Sequence, residues 1–554
     1  MIILGVNGFK NEHDPSAALL IDGKLVGFAE EERFNRIKRA YGCYPHNAVR
    51  WLLQKNELSI DDIDVFAFGW NVMEMIRQGF NYEIQDVMDD DNRVVELVTG
   101  QVPKKKVKIV YVPHHIAHAA SSYYASGYED AVSIVIDGRG ENESITCYKI
   151  INNEMIEMRK WNMAFSLGFL YEAASFYSGF SDWEAGKTMG LSSYAHDPMP
   201  LGDFMKWEDD NIVLFGQYSD YESTDLCKKW LGLLYEKFGK MESVSKQWDN
   251  IRNRFYKNVR PDDLERISIG AGAVQETVVD IIGNIIKYCI RQTGLKKICL
   301  SGGVALNCAA NGRIFDLCEN LYVFPAANDA GVSYGAAAYV AAQNGDRVES
   351  IHTALYGPDY SSADIRKMLD EYNIKYRIAN DISNVVSDYI IDGKIVGWFH
   401  GNMEMGPRAL GGRSILANPR GIPGRDKVNQ CKGREYWRPF APSLLYEDRN
   451  KYFEKGIMSR FMLKAVMCKK DIVERFPDIV HVDCTSRPHT VLPEDKEYYE
   501  LLLQMKKKTG DGIILDTSFN GPEEPIVCSP IDAIRTFYST GIDILSINEF
   551  VIEK

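Results

Sequence analysis

The chain opens with an apolar run, "IILGV", that gives way to the polar stretch "NGFKNEHDPS"; a second run, "AALLI", then meets "KLVGFAEE" across Asp22-Gly23. Asp-Gly between alternating apolar segments favours the tight turn of a β-hairpin, because both positions tolerate left-handed backbone. From residue 131 the same order returns: "AVSIVID", the polar "GRGENES", then "ITCYKI" and "EMIEMRK" joined at Asn152-Asn153. No single motif constrains the fold as much as this repeat, which calls for two related α/β halves facing each other. A nucleotide commonly sits between such halves with its phosphates on the polar turns, an inference from fold analogy alone. On that analogy Gly138 and Arg139, in the turn after Asp137, are expected to contact nucleotide.

Two further corners point the same way. After a helical stretch at about 262–293, the strand "ICL" runs into Ser301-Gly302-Gly303, with Asn307 expected in the first turns of the following helix. Then "VFPAANDAGVSYGAAAYVAA" places Asp329 before Ala330-Gly331 and a small-residue helix. Glycine at a strand-to-helix corner lets a ligand approach the backbone, and a helix N-terminus favours an anion. Gly302, Gly303, Asn307 and Gly331 therefore join the expected nucleotide-binding positions. Near residue 345 the long apolar periods stop, in "QNGDRVESIHTALYGPDYSS", and from there candidate strands "IVGWF", "GIILD" and "ILSI" begin a second α/β unit. With 554 residues the chain exceeds one ordinary core, so domains of 1–345 and 346–554 are expected.

Three of the chain's ten histidines fall within "HHIAH". His114 and His118, spaced i, i+4, share one face if the segment is helical, close enough to share a metal ion. Asp137 ends the strand "AVSIVID", and Asp329 ends the strand-like "YVFPAAND", so both carboxylates are expected beside the cleft. Two imidazoles and two carboxylates suit Fe(II), Mn(II) or Zn(II) better than magnesium. A turn-capping role for each aspartate stays open on spacing alone.

The second unit concentrates cations among glycines. Arg408 and Arg413 stand in "GPRALGGRSILANPR", Lys432, Arg434 and Arg438 in "KGREYWRPFAPS", Arg487 in "DCTSRPHTV", and Ser518 and Asn520 in "DTSFNGPEEPIV". Guanidinium forks bind phosphate bidentately, and hydroxyl and amide groups fix the remaining oxygens. The set reads as a concave anion site, the alternative being pairing with surface carboxylates. Overall the chain is acidic, with a formal net charge of −13, which argues against a nucleic-acid partner. "MIILGV" is too short for a signal or spanning segment, and eleven cysteines without a CxxC read as reduced thiols, so a cytoplasmic protein without membrane association is expected.

Eleven segments, among them "HDPSAALLIDG", "EEERFNRIK", "HHIAHAASSYYASG", "GKTMGLSSYA", "SGGVALN", "GPRALGGRSILANPR", "KGREYWRPFAPS" and "DTSFNGPEEPIV", occur in an order that resembles the NodU/TobZ/CmcH-type O-carbamoyltransferases over essentially the whole chain. The resemblance implies an α/β protein: a duplicated actin/hexokinase-like (ASKHA, TsaD-like) domain followed by a smaller YrdC-like α/β domain. It implies that the YrdC-like domain forms carbamoyl adenylate from carbamoyl phosphate and ATP, with Mg accompanying the ATP. The TsaD-like domain, holding a divalent metal, iron in the best-known case, then delivers the carbamoyl group to a hydroxyl of a small antibiotic, sugar or lipo-oligosaccharide acceptor. His114, His118, Asp137 and Asp329 map onto the metal ligands, with His115 left to pack or cap. His13 is the candidate base, oriented by Asp14, or else a donor to the nucleotide. One departure is Arg139, where the family pattern often has tryptophan. A tRNA threonylcarbamoylation enzyme shares both domain types, and a non-catalytic nucleotide-binding relative is the third reading. The HypF-type alternative lacks its acylphosphatase domain and paired CxxC motifs here. A homodimer is the default expectation. Acceptor-lining loops are expected near 70–100 and 200–260.

Overall fold

A computed structural model describes the chain except residues 11, 80–82, 216–222, 240–260, 422 and 436; parts of both expected acceptor loops, 80–82, 216–222 and 240–260, lie outside the described residues. The first sheet contains β1 (Ile2–Asn7), β2 (Ser16–Ile21), β3 (Lys24–Glu30), β4 (Val65–Phe68) and β5 (Ile109–Tyr111) in the order β3-β2-β1-β4-β5. β1, β2 and β3 pair antiparallel, whereas β4 and β5 run parallel to β1. The second half begins with β6 (Ala131–Ile136), β7 (Glu143–Ile151) and β8 (Glu154–Asn162). A hairpin of β9 (Met205–Glu208) and β10 (Asn211–Leu214) intervenes before β11 (Lys297–Ser301) and β12 (Asn320–Val323). The second sheet has the order β12-β11-β6-β7-β8, with β6, β7 and β8 antiparallel and β11 and β12 parallel to β6. Strand order and directions thus match between the sheets, which is the pair of related α/β halves expected from the repeat.

Each half lends a helix to the other. His114–Ser126 follows β5 yet packs on β6 and β11, whereas Ala330–Gln343 follows β12 and packs on β1, β2 and β4. Small residues permit this exchange. A Cβ at Gly335 would lie 1.8 Å from the Ala117 carbonyl oxygen, and one at Gly5 would lie 1.9 Å from that of Ser333. Alternation sorts the first sheet's faces: Ile3, Ala18 and Leu20 point into the core shared with the exchanged helices, and Leu4, Val6, Ala17 and Leu19 into a second core under His46–Lys55. All six residues of β6 are buried, as a central strand covered on both faces requires. The long helix Pro261–Thr293 includes Ser268–Thr293, apolar and long enough to cross a membrane but mostly packed inside the protein.

After Gln343 the chain stays on this lobe for some residues, with the Ile351 amide donating to Ala125 and the Phe28 amide to Tyr356. The C-terminal unit then forms a mixed eight-stranded sheet from β13 (Arg377–Ile378), β14 (Val396–Phe399), β15 (Arg413–Ala417), β16 (Ala441–Leu445), β19 (His489–Val491), β20 (Ile513–Ser518), β21 (Ile544–Ile547) and β22 (Phe550–Glu553), while β17 (Val466–Met467) and β18 (Thr485–Ser486) pair separately. Its order is β13-β22-β21-β14-β15-β20-β16-β19. Period-two alternation again feeds two cores, Ile415 and Ala417 into one and Leu416 into the other. The units meet over an apolar seam, where Phe461, Met462 and Leu463 join the core of the first lobe. The Ala465 amide donates to the Cys308 carbonyl at 2.9 Å beside this seam.

Candidate functional sites: a buried His-Asp cluster and a basic cavity

The helix exchange places the two predicted histidines and the two predicted aspartates together. His114 and His118 occupy the first turns of His114–Ser126, Asp137 directly follows β6, and Asp329 immediately precedes Ala330–Gln343. Asp329 departs from the expected strand end: β12 stops at Val323, and the intervening turn carries the carboxylate to the helix N-terminus. The His114 and His118 Nε2 atoms are 3.1 Å apart. Both lie 3.4 Å from Asp137 Oδ2, and they lie 3.7 and 3.5 Å from Asp329 Oδ1. One ligand atom from each residue falls within 4.8 Å of the others, and all four side chains are buried.

Outer contacts fix which atoms face inward. His114 Nδ1 is 3.1 Å from the Gly69 carbonyl, which can only accept, so Nδ1 carries the proton and Nε2 turns its lone pair to the centre. Asp137 Oδ1 accepts from the Gly303 amide at 2.9 Å, leaving Oδ2 for the cluster. The Trp70 indole stacks on His114 at 3.6 Å between centroids, and Glu141 accepts the His114 amide at 2.9 Å, capping the helix. Burial disfavours charge on His118, but hydrogen bonds to Asp137 and Asp329 outweigh it and lift its pKa to about 9. Burial would likewise raise Asp137, yet the two imidazoles hold it well below the usual carboxylate range. Two carboxylates and two converging imidazole nitrogens, shielded from water, call for a positive centre that a shared proton supplies poorly. A divalent cation with nitrogen and oxygen ligands fits this donor set. His115 points elsewhere, with Nδ1 2.7 Å from Thr146 Oγ1, and burial pushes its pKa far down.

Beside the cluster, His13 Nδ1 lies 3.0 Å from Asp14 Oδ2, and Asn328 donates to the same oxygen at 2.8 Å. Burial would lower the His13 pKa; the Asp329 charge and the Asp14 hydrogen bond raise it to about 9. Arg139 reaches across the turn to Glu12 at 2.5 Å. The glycines differ in what they face. Gly302 has φ +89° and sits where a Cβ would meet the Ile136 carbonyl oxygen at 2.3 Å, and Gly331 packs against the Ala326 carbonyl. A Cβ at Gly138 would have only the edge of Phe169 in contact, at 3.7 Å. Asn307, expected in the first turns of a helix, instead follows a 3-10 turn and caps Cys308–Ile314 through the Ala310 amide, and it donates to Gln275 at 2.8 Å.

The second site is a cavity of about 930 Å³ between the units. Seven of the eight residues expected to bind carbamoyl phosphate and ATP line it: Arg408, Lys432, Arg434, Arg438, Arg487, Ser518 and Asn520. The structure leaves Arg413 out of this set. Its guanidinium is fully buried, lies 3.6 Å from the Phe399 ring centroid, and donates to the carbonyls of Pro358, His400, Gly401 and Gly412. Lys432 contacts the Ser518 carbonyl and lies 3.0 Å from Asn520 Oδ1; burial and then Arg434 push its pKa well down. Among the described residues the buried Nε atoms of Arg408 and Arg487 have no partner, and burial together with Arg487 draws Arg408 down to about 9. Unpaired, mutually repelling guanidinium groups at a cavity wall are stabilised by an anion. The sequence reading overlooked Lys38 and Glu435 as lining residues, and also buried Asp516, whose carboxyl desolvation lifts to about 7. Lys38 stands in the quoted "EEERFNRIK", taken only for its resemblance to the family, and Glu435 in "KGREYWRPFAPS", which was read for its cations alone.

Comparison with known proteins decides the family. Residues 71–338 match the model of the carbamoyltransferase N-terminus, and residues 387–554 that of the carbamoyltransferase C-terminus. Nodulation protein NolNO of Sinorhizobium fredii is 31% identical over 98% of this chain and 79% of its own length. The chain belongs to the carbamoyltransferase family. Nodulation protein NolO of Bradyrhizobium diazoefficiens is also similar, 32% identical over 80% of this chain and 78% of its own. Among solved structures, full-length HypF in a phosphate- and nucleotide-bound form is 15% identical, covering 63% of this chain and 47% of that one, at a TM-score of 0.36. The protein is thus a carbamoyltransferase, with a His/Asp group able to hold a metal in its N-terminal lobe and a basic cavity beside it.

Proposed function

We propose that this carbamoyltransferase divides its work between the two sites. The C-terminal unit, read as YrdC-like, takes carbamoyl phosphate and ATP into the basic cavity. Water converts carbamoyl phosphate to carbamate and phosphate, a carbamate oxygen attacks the α-phosphorus of ATP, and pyrophosphate leaves to give carbamoyl adenylate. The acceptor hydroxyl then attacks the carbamoyl carbon beside the His-Asp cluster, AMP departs, and the hydroxyl proton passes to a base. The observation that carries this reading is the pair of guanidinium groups, Arg408 and Arg487, whose buried Nε atoms have no partner among the described residues, on the cavity wall beside Lys432, Ser518 and Asn520. They supply fixed positive charge where phosphoryl charge develops.

His114, His118, Asp137 and Asp329 would hold a divalent metal, iron being our assignment with Mn or Zn as alternatives, and its chemistry there is Lewis-acid polarisation of a carbonyl or phosphoryl oxygen. His13, whose Nδ1 is held by Asp14, is our candidate base for the hydroxyl proton. In the metal-free protein an imidazole that holds its proton to about pH 9 is mostly protonated at neutrality, and a cation on Asp329 would offset the charge that holds it there. A His13 acting as base makes the transfer rate climb with pH through its own titration, whereas a His13 that only donates to nucleotide gives the opposite slope. The acceptor is a small hydroxyl-bearing molecule. The test supplies carbamoyl phosphate and ATP and follows pyrophosphate together with carbamoyl adenylate by mass spectrometry. Both products are expected, and both disappear in Arg434→Ala; absence of both from the wild-type protein with ATP bound removes the donor assignment.

A further inference from the structure

One segment touches both sites and has no part in the chemistry assigned so far. Running from the end of β3, it carries Glu30, Arg33, Arg36, Lys38 and Arg39. The Glu30 carboxylate accepts the Gly406 amide at 2.8 Å, and Arg33, buried and paired with Glu30 and Glu32, donates to the Gly406 carbonyl at 2.8 Å. Gly406 stands two positions before the cavity arginine Arg408 in sequence. Arg36 spreads its fork over two further carbonyls of the C-terminal unit, Ile526 at 2.7 Å and Pro525 at 2.8 Å. These follow the loop that bears Asn520. Lys38 enters the cavity wall. Arg39 reaches the other site: its carbonyl accepts the Asp14 amide at 2.8 Å, and its guanidinium lies 4.6 Å from the Trp183 ring centroid, against which His13 packs edge-on at 5.2 Å.

The backbone follows these contacts through left-handed conformations: Arg36, at φ 61°, is the C-cap of Glu32–Asn35, its amide donating to the Glu32 carbonyl, and Arg39 and Ala40 follow at φ 62° and 42°.

We propose that residues 30–40 form a brace that clamps the donor loops of the C-terminal unit onto the transfer lobe, so that activated carbamoyl groups are retained between the sites and kept from water. This rests on the two-site reading above. Arg36 is its principal positioning residue, since one side chain grips two carbonyls of the opposite unit.

The experiment uses full-length protein with carbamoyl phosphate and ATP, no acceptor, and pyrophosphate counted per chain. Wild-type protein is expected to release one equivalent and then stall, holding its adenylate. Arg36→Ala is expected to continue, because leaked adenylate is hydrolysed to AMP and carbamate and the cavity refills; the later phase is expected to be about a hundredfold faster, as loss of two charge-assisted bonds suggests. Arg36→Lys, keeping one contact, falls between. Unfolded chains add to neither phase, so the ratio of later phase to first equivalent reads the folded fraction alone. A wild-type protein that never stalls, an Arg36→Ala that stalls as the wild type does, or loss of the first equivalent in both variants overturns the brace. Absence of any pyrophosphate from wild-type protein is a different result and removes the donor reading itself.

Discussion

The four side chains of the His-Asp cluster come from two exchanged helices and one strand end within a single lobe, whereas the cations of the basic cavity come from two units. The cluster gathers lone pairs and negative charge in a dry place and is short of a cation. The cavity gathers positive charge at a seam and is short of an anion. In both, burial raises the free energy of the charges that line the site, so each is set to gain most when its missing partner arrives. Neighbouring sites of opposite demand suit a reaction in which phosphoryl charge is handled in one place and carbonyl chemistry in the other.

The largest effect that separates them is expected from His118→Ala. Carbamoyl transfer should fall by well over a hundredfold, more than loss of an outer partner of a metal ligand, about 10–100-fold, while the first equivalent of pyrophosphate is still released. Metal analysis and product assays on one preparation check this; equal loss of both activities would join the two sites into one. Next, Arg487→Ala should slow pyrophosphate release by about 10²–10³-fold with bound metal unchanged, as expected for a removed charge-stabilising donor. Arg413→Ala sharpens the boundary of the cavity. Removing a guanidinium that serves four buried carbonyls should lower folding stability by about 3–5 kcal/mol, measured by denaturant titration, whereas Arg487→Ala should change it by less than about 1 kcal/mol. A stable Arg413→Ala that fails to bind donor would return Arg413 to the anion set.

The smallest effect is a slope with pH. In metal-free protein the folded-state pKa of His118, about 9, exceeds its unfolded value of about 6.5, so this group's stabilisation is complete below pH 6.5 and is lost as pH rises through about 9. Thermal melts of metal-free protein should therefore fall over that window. A saturating divalent ion should remove the slope, because metal binding displaces the proton.

Much of this was legible because the signals are local. His114 and His118 lie one helical turn apart, and the hairpin repeat is written twice in strand order and turn residues. Asp329 was found by its place before a small-residue helix, although the strand it was assigned to ends earlier. The arginines could be read as a set but not sorted. Arg408 and Arg413 stand five residues apart among similar glycines, and only the third dimension shows one guanidinium at a cavity wall and the other saturated by carbonyls. Asn307 illustrates the same limit, since a capping amide and a phosphate-binding amide are one residue type at one kind of corner. Arg33 and Arg36 were quoted as part of a motif, but the carbonyls they grip in the C-terminal unit lie hundreds of positions away, where no spacing rule reaches.

The exchange of helices between the two sheets bears on how this chain can be made. One face of the first sheet is covered by Ala330–Gln343, synthesised long after β1, β2 and β4. On the ribosome that face must stay bare, or be held by a chaperone, until residue 343 has emerged, and the second sheet is covered early by a helix already made. Neither half can be expressed alone as a finished lobe. A stop anywhere between the two helices would leave an apolar, aggregation-prone sheet rather than a smaller working protein.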